Sequence, residues 1–185
     1  VTRVTIYTDA SIYRGVGSWA TVIIREGLEP VEQSGKLRGR FESSTAVEGA
    51  AIANAVWYAR RQGLLEPCDD LTVHCDNQQM VERLTASQAG RPWRDARDQV
   101  IMRACGYVLE AVSVFDAPVA FRWVKGHQRL DSRDPHALYN RRCDQLCGAA
   151  RKGHKPPSWR QLQDQHAAFQ RRREKREAAA SGASA

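Results

Sequence analysis

The sequence predicts an α/β domain built on a mixed five-stranded sheet, with three antiparallel strands, then parallel strands, and helices flanking them. Three observations carry that expectation. Five short segments rich in β-branched and aromatic residues read as strands. The first three are joined by short connections, which suit antiparallel neighbours. The last two are reached through helical stretches long enough to cross over the sheet and return in parallel.

Residues 3–9 (RVTIYTD) form the first expected strand, and RGVGS supplies the turn after it. Residues 19–27 (WATVIIREG) follow as a second strand and 32–39 (EQSGKLRG) as a weaker third. Residues 45–62 are alanine-rich, and Ala46, Ala50, Ala53 and Trp57 recur at helical spacing. Thr45 and Glu48 have the spacing of a capping box at its start. GLLEPCDD closes the helix, and LTVHCD (71–76) is a short strand. Helices are expected over 77–84 and 93–112, separated by the breaker SQAGRP. PVAFRWVKG (118–126) is the fifth strand, and 137–152 the helix that ends the body. GHKPPS (153–158) reads as a hinge, 159–177 as a polar basic helix, and the final AAASGASA as disordered. The expected organisation is one domain over 1–152 and a tail over 153–185.

Composition narrows the function classes. Of the 185 residues, 42% are hydrophobic and 26% charged, ordinary values for a globular chain. No apolar run approaches the ~20 residues that span a bilayer, and the first residues lack the order of a signal peptide. A soluble, cytoplasmic monomer without membrane partners is expected. The five cysteines show neither a disulfide pattern nor zinc-like spacing, and Cys143 and Cys147 read as small buried side chains. Charge is uneven. Residues 151–185 hold nine Lys/Arg against three Asp/Glu, whereas residues 1–150 hold nineteen against eighteen. A near-neutral body with a basic tail points toward polyanions such as nucleic acid.

Four carboxylates share an address. Asp9 and Asp76 end strands, while Glu48 and Asp144 fall in the early turns of helices. In an open sheet with crossover helices, strand C-termini and the helix starts that follow them face a common crevice. Each acid alone has an ordinary explanation as a cap or a dipole partner. Four converging carboxylates repel, however, and an all-oxygen cluster suits Mg²⁺ or Mn²⁺ better than zinc.

The segments YTDAS (7–11), SSTAVEGAAIANAV (43–56), LTVHCDNQ (71–78), FRWVKGH (121–127) and NRRCDQL (140–146) occur in that order on the expected elements. Together they resemble type 1 ribonuclease H, the endonucleases that cut the RNA strand of RNA–DNA hybrids and leave 5′-phosphate ends. The resemblance covers about residues 3–152. It implies a ribonuclease H-like fold and two Mg²⁺ ions, with Mn²⁺ as a substitute, held by Asp9, Glu48, Asp76 and Asp144. It implies His127 as a mobile helper at the scissile phosphate, with Asn140 bracing the loop beside Asp144 and counted with the substrate-contacting residues. RNA is told from DNA by its 2′-hydroxyl. The candidate readers are Ala10, Ser11, Ser44, Thr45, Asn77 and Gln78.

The chain departs from the family pattern in four ways. Ala10 stands where glycine is usual, and Ser43-Ser44-Thr45 replaces an asparagine-rich run. The basic protrusion of some members is reduced to Arg91, Trp93, Arg94 and Arg97. Twelve residues separate His127 from Asn140, a longer spacing than usual. That insertion carries Asp131, Asp134 and His136, which read as surface loop, with His136 a rival to His127. Competing readings are a junction resolvase or reverse-transcriptase-linked nuclease of the same fold, a non-catalytic nucleic-acid-binding module, and an adaptor docking through its tail.

Overall fold

The structure is a computed structural model. It describes residues 1–91, 99–128, 132 and 134–182, the last three through their backbone only. Trp93, Arg94, Arg97, Asp131, residues 183–185 and the first residues of the helix expected over 93–112 lie outside the described residues.

The strands are β1 (Arg3–Tyr13), β2 (Val16–Arg25), β3 (Val31–Lys36), β4 (Asp70–Cys75) and β5 (Ala120–Trp123). The helices are α1 (Ser44–Arg61), α2 (Gln78–Gln88), α3 (Gln99–Val112), α4 (Ala137–Lys152) and α5 (Trp159–Gly182). The sheet order is β3-β2-β1-β4-β5, with β1–β2 and β2–β3 antiparallel and β1–β4 and β4–β5 parallel. The mixed five-stranded expectation holds.

The sheet separates two apolar layers. Val4, Ile6, Ile23, Val73 and Phe121 pack with α1, α2 and α3 in the main core. Tyr7, Ala20 and Val22 meet Cys143, Leu146 and Cys147 of α4 on the other face. All five cysteines are free, and Cys143 and Cys147 fill this smaller layer as expected. Helix α1 is buried on most of its circumference, because it lies against β1, β2, α2 and α3. The helix expected from the spacing of Ala46, Ala50, Ala53 and Trp57 is present, with Ala46 and Ala53 buried, Ala50 half-buried and Trp57 40% exposed. In a helix covered nearly all round, spacing does not select a face. Gly49 marks its close approach to α2 and α3, since a Cβ there would lie 2.7 Å from Met80 Cε and 2.9 Å from Ala104 Cβ.

Three local expectations are corrected. The N-cap of α1 is Ser43, whose hydroxyl accepts from the Ala46 amide at 3.3 Å, so Thr45 and Glu48 form no capping box. β1 does not end at Asp9, because its hairpin with β2 continues to the pair Tyr13↔Val16. The 153–158 segment is tethered rather than a free hinge: the Arg142 guanidinium donates to Pro157 O at 2.6 Å. Gly153, left-handed at φ 70°, closes α4 as its C-cap.

The tail is also more ordered than its composition implies. Residues 178–182, expected to lack structure, continue α5. Its anchor is apolar: Leu162 is 1% exposed, and the Trp159 ring stacks on Tyr139 at 5.8 Å. Burying one leucine contributes about 2 kcal/mol to holding this helix against the body. Among the described residues, no helix is long and apolar enough to cross a membrane.

Candidate active site

The parallel register of β1 and β4 places the first two acids side by side. Thr8 and Cys75 are the last paired residues, so Asp9 and Asp76 leave the pairing at the same level. Glu48 enters from the second turn of α1, and Asp144 from the middle of α4. These four carboxylates, His127, Ala10, Ser11 and Ser44 line one open cleft of about 290 Å³.

The cleft is electrostatically unbalanced. Asp9 and Glu48 are only 7% and 6% exposed. Burial pushes the Asp9 carboxyl well above the usual carboxylate range, and the nearby Asp76 and Asp144 push it further. Burial likewise raises Glu48, with Asp9 and Asp76 adding to it. Asp76 is raised by burial, and the charge of His127 and a hydrogen bond from Asn140 oppose the rise. Asp144 lies at the rim, 3.7 Å from Arg141 Nη1. Buried like charges of this kind are costly without a cation. The donor set fits a hard divalent ion, for which carboxylate oxygens are the preferred ligands.

Two neighbours escaped the sequence reading. The Cys75 thiol is fully buried and donates to Glu48 Oε2 at 3.7 Å. Glu48, Cys75 and Asp76 bring one ligand atom each within 4.8 Å of one another. The buried thiol is pushed well above its ordinary pKa, first by desolvation and then by the charge of Glu48. The protonated thiol is a donor to the carboxylate. Gly126 is the second neighbour. A Cβ there would lie 2.5 Å from Asp76 Oδ2, so the segment before His127 approaches Asp76 only because residue 126 has no side chain. The signal was present in KGH, a glycine just before the candidate histidine.

His127 is exposed, lines the cleft and holds a left-handed backbone at φ 49°. Such a conformation in a non-glycine residue costs about 1 kcal/mol or more and persists where flanking contacts impose it. Its rival is placed elsewhere. His136 shares a 2.7 Å hydrogen bond through Nδ1 with the Tyr7 hydroxyl, and its ring stacks on His74 at 4.4 Å. Asp134 accepts from the His136 amide at 2.9 Å and from the Gln128 side chain. The surface-loop expectation for Asp134 and His136 is thus corrected, because both are built into a polar cluster beneath the loop.

The remaining candidates separate by position. Ala10 donates its amide to Asp9 Oδ1 at 2.8 Å. Thr45 is buried and tied to Gln79 at 2.9 Å and Asn77 at 3.4 Å. Asn77 also caps α2 by accepting from the Met80 amide. Gln78 donates to Glu82 on its own helix at an exposed position. Asn140 is 3% exposed, and its side chain bonds Asp76. The side chain expected to brace the loop beside Asp144 thus reaches Asp76.

The class so defined is an α/β domain with a mixed sheet of order β3-β2-β1-β4-β5 and an acidic cleft where β1 and β4 part. The chain belongs to the RNase H family, whose model matches residues 1–152. Three solved structures share the fold. The RNase H1 of the halophilic archaeon Halobacterium salinarum is 22% identical with a TM-score of 0.61, covering 82% of this chain and 98% of its own. The N-terminal RNase H domain of Rv2228c from Mycobacterium tuberculosis is 16% identical with a TM-score of 0.55, covering 83% and 99%. LC11-RNase H1, solved in complex with an RNA/DNA hybrid and isolated from compost by metagenomics, is 17% identical with a TM-score of 0.54, covering 81% and 97%. Comparison with curated protein sequences finds no match.

Proposed function

We propose that the protein is an endonuclease that hydrolyses the RNA strand of RNA–DNA hybrids with two divalent cations, Mg²⁺ or Mn²⁺, and leaves 5′-phosphate ends. The observation that carries this reading is the convergence of Asp9, Glu48, Asp76, Asp144 and His127 on one cleft. Asp9, Glu48, Asp76 and Asp144 would hold the metal. When bound, it would supply Lewis-acid polarisation of the phosphate and lower the pKa of an attacking water.

The chain's own residues do the rest. Asn140 and Gly126 fix Asp76, one by a hydrogen bond and the other by leaving room. The Ala10 amide and the Cys75 thiol hold Asp9 and Glu48 in orientation. His127, exposed at the cleft edge, moves a proton at the leaving 3′-oxygen or assists product departure. Ser11, Ser44 and the Ala10 backbone, all on the cleft wall, are the candidates to read sugar hydroxyls. Thr45 and Asn77, bonded to each other, and the exposed Gln78 are further candidates for sugar contacts.

The test is a matched pair of substrates, an RNA–DNA hybrid and an RNA duplex, each with Mg²⁺. Cleavage of the hybrid alone, abolished by Asp76→Asn, is the expected result. A preparation that cuts neither, or an Asp76→Asn variant of full activity, refutes the reading. Hybrid binding that is indifferent to divalent ions would favour a non-catalytic binding module instead.

A further inference from the structure

Helix α5 lies beyond the family-matched residues, yet it is connected to the loop that carries His127. At its start, Trp159 stacks on Tyr139 and lies under the Arg142 guanidinium at 5.8 Å. Arg142 is itself buried, held by Glu32 of β3 through bonds of 2.6 and 2.7 Å and by Pro157 O. Two to three turns further along α5, Gln170 Nε2 donates to Ser132 O at 3.3 Å and pairs with His166 at 3.0 Å.

From Ser132 the connection runs on without a break. Its hydroxyl donates to Gln128 Oε1 at 2.7 Å and accepts from the Asp134 amide at 3.1 Å. The Gln128 side chain donates to Asp134. Asp134 accepts from the His136 amide, and the His136 ring is bonded to Tyr7, two residues before Asp9 on β1. Gln128 is the peptide neighbour of His127. The left-handed backbone of His127 thus adjoins a segment fixed on one side by β1 and on the other by α5.

We infer that α5 is a brace that sets the position of His127, and that Gln170 and Ser132 are positioning residues acting through Gln128. Among the described residues of the inserted segment, Gln128, Ser132 and Asp134 are tied to one another, and Ser132 is tied to α5. The inference rests on the reading of His127 as the proton-moving group. It assigns the tail helix a part in turnover that does not depend on its charge.

The experiment uses full-length protein with Gln170→Ala and Ser132→Ala, alone and each combined with His127→Ala. Turnover on a hybrid is measured in parallel with the backbone amide resonances of His127 and Gln128 in the metal-free protein. The expected result is a loss of kcat on the order of tenfold with little change in KM. The two amide resonances should shift or broaden, and no further loss should follow once His127 is already alanine. Unmoved resonances, or a loss of equal factor in the His127→Ala background, overturn the brace. Should His127→Ala leave turnover intact while Gln170→Ala still moves the resonances, the brace stands as structure and the role given to His127 is what fails. Ser132→Ala, which leaves α5 untouched, guards against a Gln170 variant that merely loosens the helix.

Discussion

Tyr7 and His136 meet through a 2.7 Å hydrogen bond between the phenol and Nδ1, joining the end of the inserted loop to the strand that carries Asp9. The phenol's pKa is raised, chiefly by burial, so it stays protonated throughout the working range. His136→Ala should therefore lower stability, by about 1–2 kcal/mol for the lost bond and stacking, with a modest effect on turnover. His127→Ala should do the reverse, lowering turnover by on the order of a hundredfold with Tm unchanged. Thermal melts and initial rates on the two variants decide it, and a larger rate loss in His136→Ala would exchange their roles.

The same cluster gives stability a defined pH dependence. His74 is 7% exposed, and its pKa is lowered to about 4, first by burial and then by His136 and Arg122, with Asp134 opposing. The folded state thus holds this imidazole neutral where the unfolded chain would protonate it. Its contribution is complete above the ordinary value near 6.5 and is lost as the pH falls from there toward 4. The full loss is up to about 3 kcal/mol. Denaturant unfolding between pH 7 and 4 should show this decline, and His74→Gln should flatten it. An unchanged slope in the variant would remove His74 as the cause.

The cleft acids act with the opposite sign. Asp9 and Glu48 have raised pKa values, so the unfolded chain ionises before the folded one. Stability is unaffected at low pH and falls as the pH rises through the window between the ordinary carboxylate range and the raised values. A divalent cation binds the ionised set, so its stabilisation should grow with pH. In a cation-free buffer near pH 8, Asp9→Asn should raise Tm by a few degrees, about 2–4 °C per kcal/mol. The same variant should lose most of the Mg²⁺-induced rise seen in the parent. Melts with and without Mg²⁺ at pH 5.5 and 8 test both halves. A cation effect independent of pH would contradict the account.

Gly126 offers a narrower probe of the same site. A methyl group there would press on Asp76 Oδ2, forcing either the carboxylate or the His127 segment to move. Gly126→Ala should lower turnover by about 10–100-fold, the range found for residues that orient metal ligands. Its melting temperature in metal-free buffer should change little, because the contact is with one flexible side chain at the cleft. Raised Mg²⁺ should recover part of the rate if Asp76 is displaced. If no concentration of Mg²⁺ restores activity, the displaced group is the His127 segment instead.

What the sequence made legible follows from where physics is local. The five strands and their directions follow from period, β-branching and connection length, and the acids follow from strand ends and helix starts. Glu48 was harder, because Thr45-x-x-Glu48 has the spacing of a capping box. The hydrogen bond from the Ala46 amide shows that Ser43 is the cap, and Glu48 lines the cleft instead. Asp134 and His136 were misplaced because a polar insertion carries no periodicity, and their partners, Tyr7 and His74, are distant in sequence. The docking of α5 had one signal, Trp159, Leu162 and Phe169 at helical spacing in a largely polar helix. Arg142, buried against Glu32, had none, since an arginine in a basic stretch looks solvated.

The ordered tail changes how its charge should be tested. Removing residues 154–185 would also remove Trp159 and the buried Leu162, so lost binding would not separate charge from support. Arg171, Arg172, Lys175 and Arg176 are exposed on the far part of α5, so their charge is displayed on a fixed helix. Arg173 pairs with Glu177 at 3.9 Å and is the poorer candidate. If these side chains meet phosphates, each contact releases counterions and steepens the dependence of log K on log salt by about 0.9. Changing Arg171, Arg172 and Arg176 together to glutamine should make that slope shallower by up to about 2.7, three times the single-contact value. Affinity should fall most at low salt, while kcat on saturating hybrid stays the same because the Gln170 contact is intact. An unchanged slope would show that the basic face of α5 is simply solvated, and that the helix serves the protein through its packing alone.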